Sequence, residues 1–105
     1  MELSIKDRLY IPALLPKDGN FKEFNLKKEI LRKVEISESE RTEVNLRENS
    51  ETKRIEWDTE KDNPLIIDFS KDECDYLKKV CEKLSDETLP DDMWATVERI
   101  FDSIV

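Results

Sequence analysis

The chain has 105 residues, room for one domain and too little for two. Folded, a chain of this size exposes roughly 6,000 Å² of the about 18,000 Å² of its extended form, so a core can form without disulfide or metal staples. Charged residues make up 42% and hydrophobic residues 37%, with a formal net charge of −8, yet two Trp, two Tyr and four Phe supply anchors that disordered chains lack. There is no His and a single Gly. That excludes imidazole acid–base chemistry, His-bearing metal sites and Gly-rich phosphate cradles.

Taken in order, Ile5, Leu9, Ala13, Leu14 and Leu15 have helical spacing, opened by Ser4 as an N-cap. Pro12 lacks the donor a helix interior needs, so this first helix is expected to kink or restart near Ile11. Pro16 to Asn20 is the clearest break, with Gly19 free to supply a positive φ. Asn20 and Glu23 then form a capping box, and Phe24, Leu26, Ile30, Leu31 and Val34 follow as the apolar stripe of a second helix. Past Ile36 the period changes. Ser37 to Glu40 reads as a turn or a single helical turn, after which Val44 and Leu46 alternate with polar neighbours, as do Ile55 and Trp57. Alternation predicts two short half-buried strands joined by the polar loop around Asn49 and Ser50, with residues 65–69 as a third.

The last third is helical. Ser70 and Glu73 form another capping box, with Phe69 and Cys74 spaced as a hydrophobic staple. Cys74, Leu77, Val80, Cys81 and Leu84 share one face; after a break at Ser85 to Thr88, Pro90 opens a final helix striped by Met93, Trp94, Val97, Ile100, Phe101 and Ile104. The expected fold is a single α+β domain over residues 1–105: two N-terminal helices, a small antiparallel sheet of two or three strands, and two C-terminal helices.

No basic segment followed by a long apolar run opens the chain, so no secretory leader is expected, and the longest apolar stretch, Tyr10 to Pro16, is far short of the roughly 20 residues of a membrane span. Cys74 and Cys81 lie on one helical face about 10 Å apart along the axis, too far for a disulfide. The expected setting is soluble, reducing and intracellular, with no membrane association.

Arg8-Leu9 followed by Leu14-Leu15-Pro16-Lys17-Asp18-Gly19-Asn20-Phe21 resembles the opening of a family of small phage- and prophage-encoded proteins with an "RL…LLPK[DE]GNF" motif. Ser37-Glu38-Ser39-Glu40 is similar to that family's acidic turn, Ile55-Glu56-Trp57-Asp58 to its "I-x-W-[DN]" strand, and the closing helix pair also fits. Pro12 departs from the pattern, where the family keeps an ordinary helical residue. The resemblance implies a bacterial host and no established activity, and it brings no catalytic or binding residues with it.

The remaining constellations favour bland readings. Asp58, Glu60 and Asp62 alternate as in a calcium loop, but Asn63 and Phe69 stand where an EF-hand needs Gly and a bidentate Glu, so a solvated acidic turn is expected. Two cysteines with no His do not make a metal site, and the aromatic residues sit on or beside apolar stripes as core. Carboxylates are abundant, but no nucleophile, base and oxyanion donor assemble, so no enzyme, cofactor or metal is expected.

Charge layout says more. Lys22 to Lys33 nets +3, whereas residues 86–105 net −5 and residues 35–51 net −4. Such segregation can steer partners or orient self-association, the alternative being a mixed solvated surface that only keeps the chain in solution. Lys27, Lys28, Arg32 and Lys33 on the basic helix, and Asp91, Asp92, Glu98 and Asp102 on the acidic one, are therefore the expected partner-binding residues, the partner being another protein or a second copy of the chain. Direct nucleic-acid binding is disfavoured by net charge and by the absence of an Arg-rich arm. The leading expectation is a non-enzymatic phage-type accessory protein acting through protein–protein contacts. Two alternatives are an acidic nucleic-acid mimic that inhibits a host nuclease or defence enzyme, and a virion structural or assembly component, which needs an apolar patch left over after the core is filled; residues 10–15, if exposed, would be that patch.

Overall fold

The computed structural model describes residues 1–104. It is an α+β protein: β1 (Glu2–Leu3), α1 (Ile5–Leu14), α2 (Phe21–Val34), α3 (Glu38–Glu43), β2 (Arg47–Glu48), β3 (Ile55–Glu56), a 3-10 turn at Thr59–Lys61, β4 (Leu65–Ile66), α4 (Lys71–Leu84) and α5 (Asp91–Ile104). Its surface, 7276 Å², exceeds the scaling value because the middle of the chain spreads out as short strands and turns rather than packing as a layer.

Four helix starts carry the same device. Ser4, Asn20, Ser37 and Ser70 each accept from the N3 amide, and the N3 carboxylates of Asp7, Glu23, Glu40 and Glu73 accept from the cap's own N–H. Each box satisfies two donors that a helix start otherwise leaves open. Gly19, at φ 157°, brings the chain into the second box so closely that a Cβ there would meet the Glu23 Cβ at 3.1 Å.

Helix α1 runs through Pro12 unbroken, so the alternative of a restart near Ile11 does not occur. The ring is exposed, and the only acceptor it deprives is the Arg8 carbonyl in the final turn, while the Leu15 N–H still closes on the Ile11 carbonyl at 3.1 Å.

Packing follows a closed circuit: α1 on α2, α2 on α4, α4 on α5, and α5 back on α1. Helices α2 and α5 therefore occupy opposite corners. Leu3, Ile11, Leu14, Leu15, Ile30, Val34, Tyr76, Leu77, Val80, Val97 and Ile100 fill the space between. Because Ile11, Leu14 and Leu15 belong to this core, the apolar patch expected at residues 10–15 does not exist.

The strands form two separate pairs instead of one sheet. β2 and β3 are an antiparallel hairpin, Arg47 opposite Glu56 and Glu48 opposite Ile55. β4 pairs with β1, Glu2 opposite Ile66 and Leu3 opposite Leu65, so the expected third strand ties the start of the chain to its middle. Val44 is not in a strand. Its N–H closes α3 on the Glu40 carbonyl at 3.0 Å, and Asn45 turns the backbone at φ 54° before the hairpin begins. Val44 joins Ile5 and Ile36 in a second small core, against which Leu9, Leu46 and Trp57 pack.

Candidate docking faces and the buried charge network

Three charged side chains reach the interior from capping boxes or beside them. Asp7 is 1% exposed. Its carboxylate accepts from the Ser4 N–H and hydroxyl at 3.1 Å each, from the Thr96 hydroxyl at 2.7 Å, and from the Arg99 guanidinium. Burial pushes its pKa up, but the bonds from Thr96, Ser4 and Arg99 and the Arg99 charge outweigh burial and hold it below the ordinary value. Arg8, 3% exposed, grips Glu40 with both terminal nitrogens at 2.5 and 3.0 Å. It also donates to the carbonyls of Val34 at 3.1 Å and Glu35 at 2.6 Å. One guanidinium thus caps the end of α2 and anchors the start of α3. The Arg8 hydrogen bond draws the Glu40 pKa down to about 2, against the opposing effect of burial and with help from Ser37. Lys33 and Glu73 make the third pair at 2.6 Å, joining α2 to α4.

Residues of the N-terminal half and beside the hairpin are engaged within the molecule as well. Arg8 and Glu40 form the joint between α1, α2 and α3, Leu14 and Leu15 lie in the core, and the carbonyls of Pro16 and Asp18 hold the Lys27 ammonium at 2.8 and 3.1 Å. Trp57 packs on the second core, and Asp58 donates its N–H to the Val44 carbonyl at 2.7 Å.

The acidic turn at residues 58–62 is less solvated than expected. Asp62 accepts the Ile5 N–H at 3.2 Å, closing the first amide of α1 from 57 residues away, and Asp58 sits between Arg47 and Lys61. Among the described residues, no group of three or more Cys, Asp or Glu side chains converges as metal ligands would. Cys74 and Cys81 are free thiols, and burial raises the pKa of Cys81 to about 11. No helix among the described residues is long and apolar enough to cross a membrane.

The eight residues singled out by charge fall into two groups. Lys27 and Lys33 are engaged inside the molecule, on the Pro16 and Asp18 carbonyls and on Glu73 respectively. Asp92 likewise accepts from the Tyr10 hydroxyl at 2.5 Å and lies 3.8 Å from Lys6, linking α5 to α1. The other five are exposed. Lys28 stands 5.8 Å from the Phe24 ring centroid, and Arg32 pairs along the helix with Glu29 at 2.8 Å. Asp91, Glu98 and Asp102 enter no ion pair among the described residues, and their spacing sets them along one face of α5.

Sequence spacing misplaced the apolar side of α2. Ile30 and Val34 are buried and Leu26 packs beside them, but Phe21, Phe24 and Leu31 are 78%, 52% and 38% exposed. At 100° per residue these three share a stripe facing away from Ile30, a separation the wheel already contains. The two rings stack with centroids 6.4 Å apart; Lys28 stands over the Phe24 ring, and the helical spacing puts Arg32 one turn further along the same face.

On the α4–α5 side lies an apolar groove of about 400 Å³, floored by Trp94, Val97 and Phe101 and edged by Glu82 and Glu98. A polar groove of about 570 Å³ runs past Lys6, Asp7, Thr96 and Arg99, but its deepest group, Asp7, is already filled by donors. Compared with protein-family models, with curated proteins and with solved structures, the chain finds no match.

Proposed function

We propose that this protein is a non-enzymatic accessory protein of phage or prophage type that acts by protein–protein contact, with the outer face of α2 as its docking surface. The observation that carries the reading is the stacked Phe21–Phe24 pair, open to solvent beside Leu31 and bordered by cations. Aromatic side chains exposed together on a rigid helix have the composition of interface anchors, and single scattered apolar residues do not. The saturation of Asp7 and Glu40 by fixed donors supports contact over catalysis, since neither carboxylate is left to move a proton.

A photoreactive phenylalanine analogue in place of Phe24 tests this in a bacterial extract, with the same analogue in place of exposed Lys83 as control. One discrete protein adduct from position 24, absent from position 83, is the expected result. Identical adduct patterns from both positions, or none, sink the reading.

The row of Asp91, Glu98 and Asp102 favours a second reading, nucleic-acid mimicry by α5. Along the axis these carboxylates are about 10 and 6 Å apart, and Arg99 interrupts them. A salt-sensitive block of nuclease activity that disappears in Glu98→Lys/Asp102→Lys would support it, and unchanged inhibition would remove it.

A further inference from the structure

We propose that the outer face of α2 docks head to tail into the α4–α5 groove of a second copy of the chain. This rests on the docking reading above and names the occupant. The projecting element is an aromatic pair with Lys28 and Arg32 on the same helix face; the receiving element is the apolar floor of Trp94, Val97 and Phe101 edged by Glu82 and Glu98. Each supplies what the other lacks, hydrocarbon to be covered inside a rim of opposite charge.

Within one chain the two faces cannot meet, because α2 and α5 sit at opposite corners of the helix circuit. Symmetric pairing is opposed at both ends. Placing α2 against α2 sets one face bearing Lys28 and Arg32 against another like it, and placing groove against groove sets the Glu82 and Glu98 edge against a second acidic edge. A heterologous contact that uses one face of each copy leaves the other two faces free, so association continues into a ring or an open chain. Exposed charges are screened beyond about 8 Å at physiological salt, so the contact weakens with salt while its aromatic part persists.

Sedimentation velocity over a concentration series tests the assignment with three proteins: the parent chain, Phe24→Ser, and Glu82→Lys/Glu98→Lys. All three altered side chains are exposed, and a thermal melt verifies that each variant folds. The parent's average mass is expected to rise past that of a dimer with concentration, and to fall when salt is raised. Either variant alone should weaken self-association by about tenfold or more. Mixed one to one, the variants should form a dimer and nothing longer, since each keeps the face the other has lost.

A parent chain that stays monomeric throughout overturns the proposal, as does a closed dimer indifferent to Glu82→Lys/Glu98→Lys. If the parent is monomeric while crosslinking from position 24 captures a discrete foreign protein, the docking reading stands and self-docking alone falls. If the crosslink is blank as well, both fall.

Discussion

Around Arg8 the protein buries charge, and along the outer side of α2 it exposes hydrocarbon. Both invert the usual distribution, and they differ in what completes them. Arg8 and Asp7 are surrounded by acceptors and donors of the same chain, with Glu40, Thr96, Arg99 and the end of α2 meeting their hydrogen-bonding capacity. Phe21, Phe24 and Leu31 stay exposed on the outside of α2, outside the packed core of the chain. A buried polar group that is fully partnered has a structural reason to be where it is. An exposed aromatic pair has none within the monomer, which makes it the better guide to function.

The largest expected effect comes from breaking the partnered side. Arg8→Ala leaves Glu40 and two helix-end carbonyls short of a donor and should cost about 3–5 kcal/mol in a urea melt. Asp7→Ala strands the Thr96 hydroxyl and the Arg99 charge; because Arg99 reaches solvent, the loss should be smaller, about 2–3 kcal/mol by the same measurement.

Acid should act on the same side. Glu40 falls from 4.5 to about 2 on folding, and Asp7 and Glu73 are lowered as well. Groups whose pKa drops on folding add stability above the unfolded value and lose it as pH falls toward the folded one. The melting temperature should therefore decline from about pH 4.5 down to about pH 2, and Glu40→Gln should flatten that decline while lowering the plateau.

Pro12→Ala sharpens the contrast from the other direction. It returns a donor to the Arg8 carbonyl in an exposed turn and should stabilise by about 1 kcal/mol, an increment set by backbone alone. The smallest effect on stability belongs to the exposed side: Phe24→Ser should shift the melt by less than about 0.5 kcal/mol while abolishing the crosslink from that face. A large loss of stability there would mean that Phe24 holds the fold together, and the distinction drawn between the two regions would collapse.

Short-range signals were readable where a few neighbouring residues decide the outcome. The capping boxes at Asn20 and Ser70, the break at Gly19 and the faces of α4 and α5 depend on spacings of three to seven residues. Spacing failed where the apolar residues of one helix point two ways. Ile30 and Phe24 both look like core by type, and only the position of α4 decides that Ile30 is covered. The exposed aromatic face of α2 was thus visible as residues and invisible as a surface. Of the charged residues singled out by composition, Lys27, Lys33 and Asp92 are engaged within the molecule.

By itself the sequence determined the helix starts, the α+β class, the lack of histidine chemistry and the separation of basic from acidic segments, because each follows from local geometry or from counting. Tertiary structure alone decided that β4 pairs with β1 rather than with the hairpin, that Asp62 closes α1, and that Arg8 joins three helices. It also decided that Phe21 and Phe24 remain outside. Such contacts join groups tens of residues apart, and their formation depends on how whole elements compete for the same buried space, which no window along the chain contains.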